Sequence, residues 1–91
     1  MAEFLVELYV SRGDAGAVER GAETARLAAE ALTREGTPVR YLRSLFLPLD
    51  ETCFYLYEAG SVDAVRRAAE MAALRFERVA EAVLQPNEEL R

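Results

Sequence analysis

The chain has no histidine, no tryptophan and no lysine, and one cysteine among its 91 residues. Without histidine, Cys-His nucleophilic catalysis, imidazole acid–base chemistry and His-rich metal sites are excluded in their usual forms. The lone Cys53 excludes an intramolecular disulfide, which agrees with a reducing compartment. Glycine is sparse, and Gly13 with Gly16 is too little to read as a phosphate-cradling loop. No apolar run approaches the roughly 20 residues that a membrane helix needs. Met1 to Val10 carries Glu3 and Glu7 and lacks the basic start and continuous apolar core of a signal peptide. A soluble cytoplasmic protein is expected, with no membrane partner. The net charge of −5, with both signs mixed along the chain, gives no basic stripe, so nucleic acid is not an expected partner either. Ser11, Ser44 and Ser61 have no base to activate them. All eleven basic residues are arginine, which reads as the codon bias of a GC-rich bacterial genome.

The composition that remains, 52% hydrophobic and 30% charged, is that of a folding globular chain, and its length fits one domain. Glu3 to Val10 alternates Phe4, Val6, Leu8 and Val10 against Leu5, Glu7 and Tyr9, the period-2 pattern of a strand. Asp14 is placed to cap a helix running to about Glu35, with Val18, Ala22, Ala25, Ala29 and Leu32 as its apolar stripe and an Arg26–Glu30 pair outside. Gly36-Thr37-Pro38 ends that helix. Val39 to Leu47 and Thr52 to Glu58 read as a hairpin across Pro48-Leu49-Asp50-Glu51. Ser61 caps a second helix with Val65, Ala68, Ala69 and Ala72 inward, and Arg78 to Leu84 reads as the last strand. The expected fold is α+β, a ferredoxin-like β-α-β-β-α-β sandwich: a four-stranded antiparallel sheet with two helices on one face. Residues 1–84 form the single domain and 85–91 an exposed tail.

Two helices cover only one face of such a sheet. Strand parity with Phe54 and Leu56 inward leaves Leu5, Glu7, Tyr9, Tyr41, Arg43, Leu45, Cys53, Tyr55, Tyr57, Val79, Glu81 and Val83 on the other face. A face so apolar and aromatic calls for a cover, and a second subunit in a two-fold homodimer is the commonest one. Its polar members then need partners: Glu7, Arg43 and Glu81 form either an interface ion-pair network or a site. In the site reading Glu7, Tyr9, Arg43, Tyr57 and Glu81 bind a ligand, with Arg43 fixing an acidic group, Glu7 or Glu81 taking a proton or a cation, and the tyrosines lining the pocket. Cys53 beside aromatics is expected to be a small buried apolar residue.

The stretch Phe54-Tyr55-Leu56-Tyr57-Glu58-Ala59, continuing through Val62, Asp63, Ala64, Val65 and Arg66 to Ala68-Ala69, resembles the central motif of a bacterial domain-of-unknown-function family, number 4242, some of whose members are called nickel-binding. The opening strand with Glu7, the Ser44 to Asp50 region and the closing Arg78-Val79-Ala80-Glu81-Ala82-Val83 extend the resemblance over nearly the whole chain. It implies a ferredoxin-like fold, association through sheets, and nickel or another divalent metal as a candidate cofactor. Where family members often carry a histidine before the second-strand serine, this chain has Arg43, and where they carry a cysteine it has Tyr55. A small binding protein enclosing a ligand or metal ion between sheet faces is the first expectation. The alternatives are a dimeric α/β-barrel enzyme, an oxygenase or isomerase using Tyr or Glu as acid or base, and a purely structural interaction domain.

Overall fold

The computed structural model describes residues 1–83. It comprises β1 (Ala2–Tyr9), α1 (Gly16–Arg34), β2 (Val39–Leu47), a short 3-10 turn (Pro48–Asp50), β3 (Thr52–Ala59), α2 (Val62–Met71) and β4 (Phe76–Ala82). The strands form one antiparallel sheet in the order β2-β3-β1-β4, with both helices on one side, which is the ferredoxin-like α+β arrangement. The tail expected over 85–91 lies outside the described residues.

Local chemistry sets most boundaries. Gly36, at φ +105°, turns the chain out of α1, and the Thr37 N–H donates to the Leu32 carbonyl at 2.9 Å. Thr33 then clasps the start of β2: its hydroxyl donates to the Val39 carbonyl at 2.8 Å and accepts from the Val39 N–H at 3.1 Å. Ser61 caps α2 by accepting from the Ala64 N–H at 3.2 Å. Asp14 does not cap α1. The N-cap is Ala15, without a side-chain bond, and the Asp14 carboxylate accepts from Arg20 at 3.2 Å instead. Arg26 bonds Glu30 at 3.0 Å as expected and also Glu23 at 2.6 Å. The last strand starts two residues earlier than its composition suggests, at Phe76.

The core holds Phe4, Val6, Leu8 and Val10 from β1, the Val18, Ala25, Ala29 and Leu32 stripe of α1, and Ala64, Val65, Ala68 and Ala69 from α2. From β3 it takes Cys53, Tyr55, Tyr57 and Ala59, all fully buried, and not Phe54 and Leu56. The parity expected for β3 is therefore inverted. The helices explain why. Their inward faces are mostly alanine, which leaves a deep gap over the sheet, and a tyrosine reaches further into it than a leucine. Tyr55 ends under α1, where its hydroxyl donates to the Val18 carbonyl at 2.8 Å. Gly21 provides the notch, since a Cβ there would overlap the Tyr55 hydroxyl. Tyr41 packs edge-on against both Tyr55 and Tyr57, with ring centres 5.8 Å apart in each pair.

Candidate functional site

The sheet face that the helices leave bare is built in rows of cross-strand neighbours. From β2 outward, the central row is Arg43, Leu56, Leu5 and Ala80, and the row beside it is Leu45, Phe54, Glu7 and Arg78. Arg40, Glu58, Glu3 and Ala82 close one end, while Leu47, Thr52 and Tyr9 close the other. An apolar patch of Leu5, Leu45, Phe54 and Leu56 thus lies between charged and polar ends. Leu45 is 57% exposed and Tyr9 59%.

Three of the five expected ligand-binding residues, Glu7, Tyr9 and Arg43, share this face. Tyr57 does not: it is fully buried on the helix side. Glu81 does not either, because it pairs with Phe4 and so projects to the helix side at the exposed sheet edge. Two bulges account for the other misplacements. The pairing slips between Tyr41 and Arg43, which leaves Arg43 and Leu45 on the open face and turns Tyr41 inward. It slips again opposite Glu7 and Leu8, where Glu77 is the extra residue, after which Arg78, Ala80 and Ala82 face out and Val79 faces in. Among the open-face residues that alternation alone misses are Phe54, Leu56, Glu58, Arg40, Arg78, Ala80 and Ala82. The notch at Gly21 is the sequence signal that could have placed Tyr55 inward, and with it the whole of β3.

The charges on this face are partly paired. The Arg78 Nε donates to Glu7 Oε1 at 2.7 Å, and Arg40 meets Glu58 at 3.1 Å. Among the described residues no carboxylate lies within 4.0 Å of the Arg43 guanidinium. Glu3 stands directly opposite Glu58, and its Oε1 is covered without a hydrogen-bond partner. The unpaired Arg43 guanidinium leaves hydrogen-bonding capacity for something outside the subunit.

A metal site built from Glu7, Glu81 and Cys53 does not come together within one subunit. Glu7 is on the open face, Glu81 is on the helix side, and Cys53 is sealed in the core, where burial pushes its thiol above the ordinary value. Among the described residues no group of three or more Cys, Asp or Glu side chains is arranged to hold a metal ion. A hollow of about 230 Å³ beyond Tyr9 has Glu7, Asp50, Glu51 and Glu77 around it, but Glu7 is held by Arg78 and Glu51 by Arg12. Burial raises the Tyr55 and Tyr57 phenols well above the ordinary value and, less strongly, that of Tyr41, so none of the three is ready to serve as a phenolate base. No helix of the described residues is long and apolar enough to cross a membrane.

No known family model matches the chain, and no curated protein does. Among solved structures, the chain is similar to the crystal structure of SCO4226 from Streptomyces coelicolor A3(2), at 25% identity and a TM-score of 0.70. The match covers 93% of this chain and 100% of that one, so the two share the fold over the matched residues.

Proposed function

We propose that the chain is a small cytoplasmic binding protein that works as a homodimer, with its open sheet faces together and a small acidic ligand held between them at Arg43. The observation that carries this reading is the charge balance of the open face. Glu3, Glu7 and Glu58 are matched there by Arg40, Arg43 and Arg78, whereas the whole chain carries −5. Two such chains repel one another over most of their surfaces. The open face is where they can meet without that repulsion, and its apolar centre supplies the gain. The resemblance of the Phe54 to Ala69 stretch to a family that associates through sheets supports the same arrangement.

Arg43 stands in an otherwise apolar row without a counter-ion among the described residues. Covered by a second subunit, it needs an anion, and a carboxylate or phosphate can take its donors in a bidentate fashion. A cation on this face would have to compete with Arg78 for Glu7 and with Arg40 for Glu58, so an acidic organic ligand fits better than nickel or another divalent metal. Binding is favoured over an oxygenase- or isomerase-like reaction because Glu7 is engaged by Arg78 and Tyr57 is in the core. Native mass spectrometry of the purified protein, with and without chelator, tests the reading. A dimer of twice the 10.1 kDa chain mass retaining an organic ligand in chelator is expected. A monomer refutes the assembly, and a dimer whose only retained species is a chelatable metal refutes the ligand class.

A further inference from the structure

We infer that the groove between the C-terminal half of α1 and the outer strand β2 is a second binding site, one that takes an apolar small molecule bearing a single carboxylate. The groove encloses about 550 Å³, within the roughly 300–1,000 Å³ usual for small-molecule sites. It opens on the helix side of the sheet and shares with the face assigned to the dimer only Arg40, on the outer strand.

Its shape follows from three local features. Ala29, the residue α1 turns toward β2, is too small to fill the space above Val39, and both are buried. Thr33 spends its hydroxyl on both backbone groups of Val39, so the floor offers a ligand no competing polar group. Tyr41 forms a wall whose ring is fixed edge-on by Tyr55 and Tyr57. The result is a firm apolar trough that opens to solvent along one side.

The rim gives the chemistry of the occupant. Arg26, Arg34 and Arg40 stand around the groove against the single carboxylate of Glu30, in a chain that is acidic overall. Arg26 is occupied by Glu23 and Glu30, and Arg40 by Glu58. Arg34 has no carboxylate within 4.0 Å among the described residues. As the last residue of α1 it complements the negative end of the helix dipole, a role that needs its charge but leaves its hydrogen-bond donors unused. One unengaged guanidinium over an apolar floor matches a molecule with one carboxylate and an aliphatic or aromatic body.

The test is a titration of the ¹⁵N-labelled full chain with octanoate and with 1-octanol, followed by amide chemical shifts. Octanoate should move the amides of Ala29, Thr33, Val39 and Tyr41, and 1-octanol should bind about ten-fold more weakly, the scale of one charge-assisted hydrogen bond. Arg34→Glu should lose that preference and Arg34→Lys should keep most of it, while Arg75→Glu, an exposed arginine outside the groove, should bind octanoate as the wild type does. The amide spectrum of each variant reports its folding in the same experiment. Equal affinity for the two probes, unaltered octanoate binding by Arg34→Glu, or shifts confined to Leu5, Phe54 and Leu56 on the open face would each overturn the assignment.

Discussion

Replacing Gly21 by alanine should cost stability, although the same change in an ordinary helix interior gains about 1 kcal/mol. Gly21 lies in α1 directly over Tyr55. A Cβ at this position would overlap the phenolic oxygen and stand 3.1 Å from Cζ and 3.3 Å from Cε2. Tyr55 has nowhere to retreat, since it is fully buried and Tyr41 packs against its ring. Overpacking of this kind costs about 1–3 kcal/mol. Displacing the hydroxyl from the Val18 carbonyl, now 2.8 Å away, adds about 1–3 kcal/mol for a buried donor left unpaired. Set against the helix gain, the net is a loss of about 1–5 kcal/mol with a midpoint near 3, or roughly 12–24 °C in Tm at that midpoint for a domain of this size. Urea denaturation followed by circular dichroism, at one protein concentration for all variants, measures it. Tyr55→Phe alone should cost about 1 kcal/mol, yet introduced into Gly21→Ala it should recover part of the loss, because the oxygen in the way is gone while the ring carbons remain close. Gly21→Ala as stable as the wild type, or additive behaviour of the two changes, would refute the notch.

The Tyr57 hydroxyl is buried without a partner, so Tyr57→Phe should leave stability unchanged or raise it by about 1 kcal/mol, read from the urea midpoint. Alkaline pH should unfold the protein through its core tyrosines. The unfolded chain ionises its phenols near pH 10, while burial keeps Tyr41, Tyr55 and Tyr57 neutral beyond that in the fold. Stability is therefore fully present below about pH 9 and lost as pH climbs past 10, at about 1.4 kcal/mol per pH unit for each of the two fully buried phenols, Tyr55 and Tyr57, and Tyr55→Phe should flatten the slope. Arg26→Ala, which removes an exposed pair with Glu23 and Glu30, should shift the urea midpoint by no more than about 0.5 kcal/mol of stability.

The order of elements was legible because it rests on local rules. Period-2 alternation in β1, Gly36 with Pro38 after α1, and Ser61 before α2 each act within a few residues, and the structure places each as expected. The facing of strands was legible only where one side was polar. In β1, Glu7 against Val6 and Leu8 settles the choice. In β3, Phe54 and Leu56 on one side and Tyr55 and Tyr57 on the other are nearly equal in apolar character, so alternation could not decide it. The deciding contact, Tyr55 beneath Gly21, spans 34 positions and becomes visible only once α1 is laid on the sheet. Bulges hid the rest. Neither Leu42 nor Glu77 has a composition that announces an extra residue, yet the first separates Tyr41 from Arg43, and beyond the second the pairing with β1 sends Glu81 to the helix side. The candidate site was accordingly half legible: Glu7, Tyr9 and Arg43 share the open face, and Tyr57 and Glu81 do not.

Sedimentation velocity of the wild type beside Leu45→Glu tests the central claim most directly. Leu45 is more than half exposed in the subunit, so glutamate there should leave the fold intact, which circular dichroism verifies. The account predicts a wild-type particle of twice the 10.1 kDa chain mass at micromolar concentration and a 10.1 kDa monomer for the variant. A wild type that sediments as a monomer across that range, or a dimer that Leu45→Glu does not disturb, would contradict it.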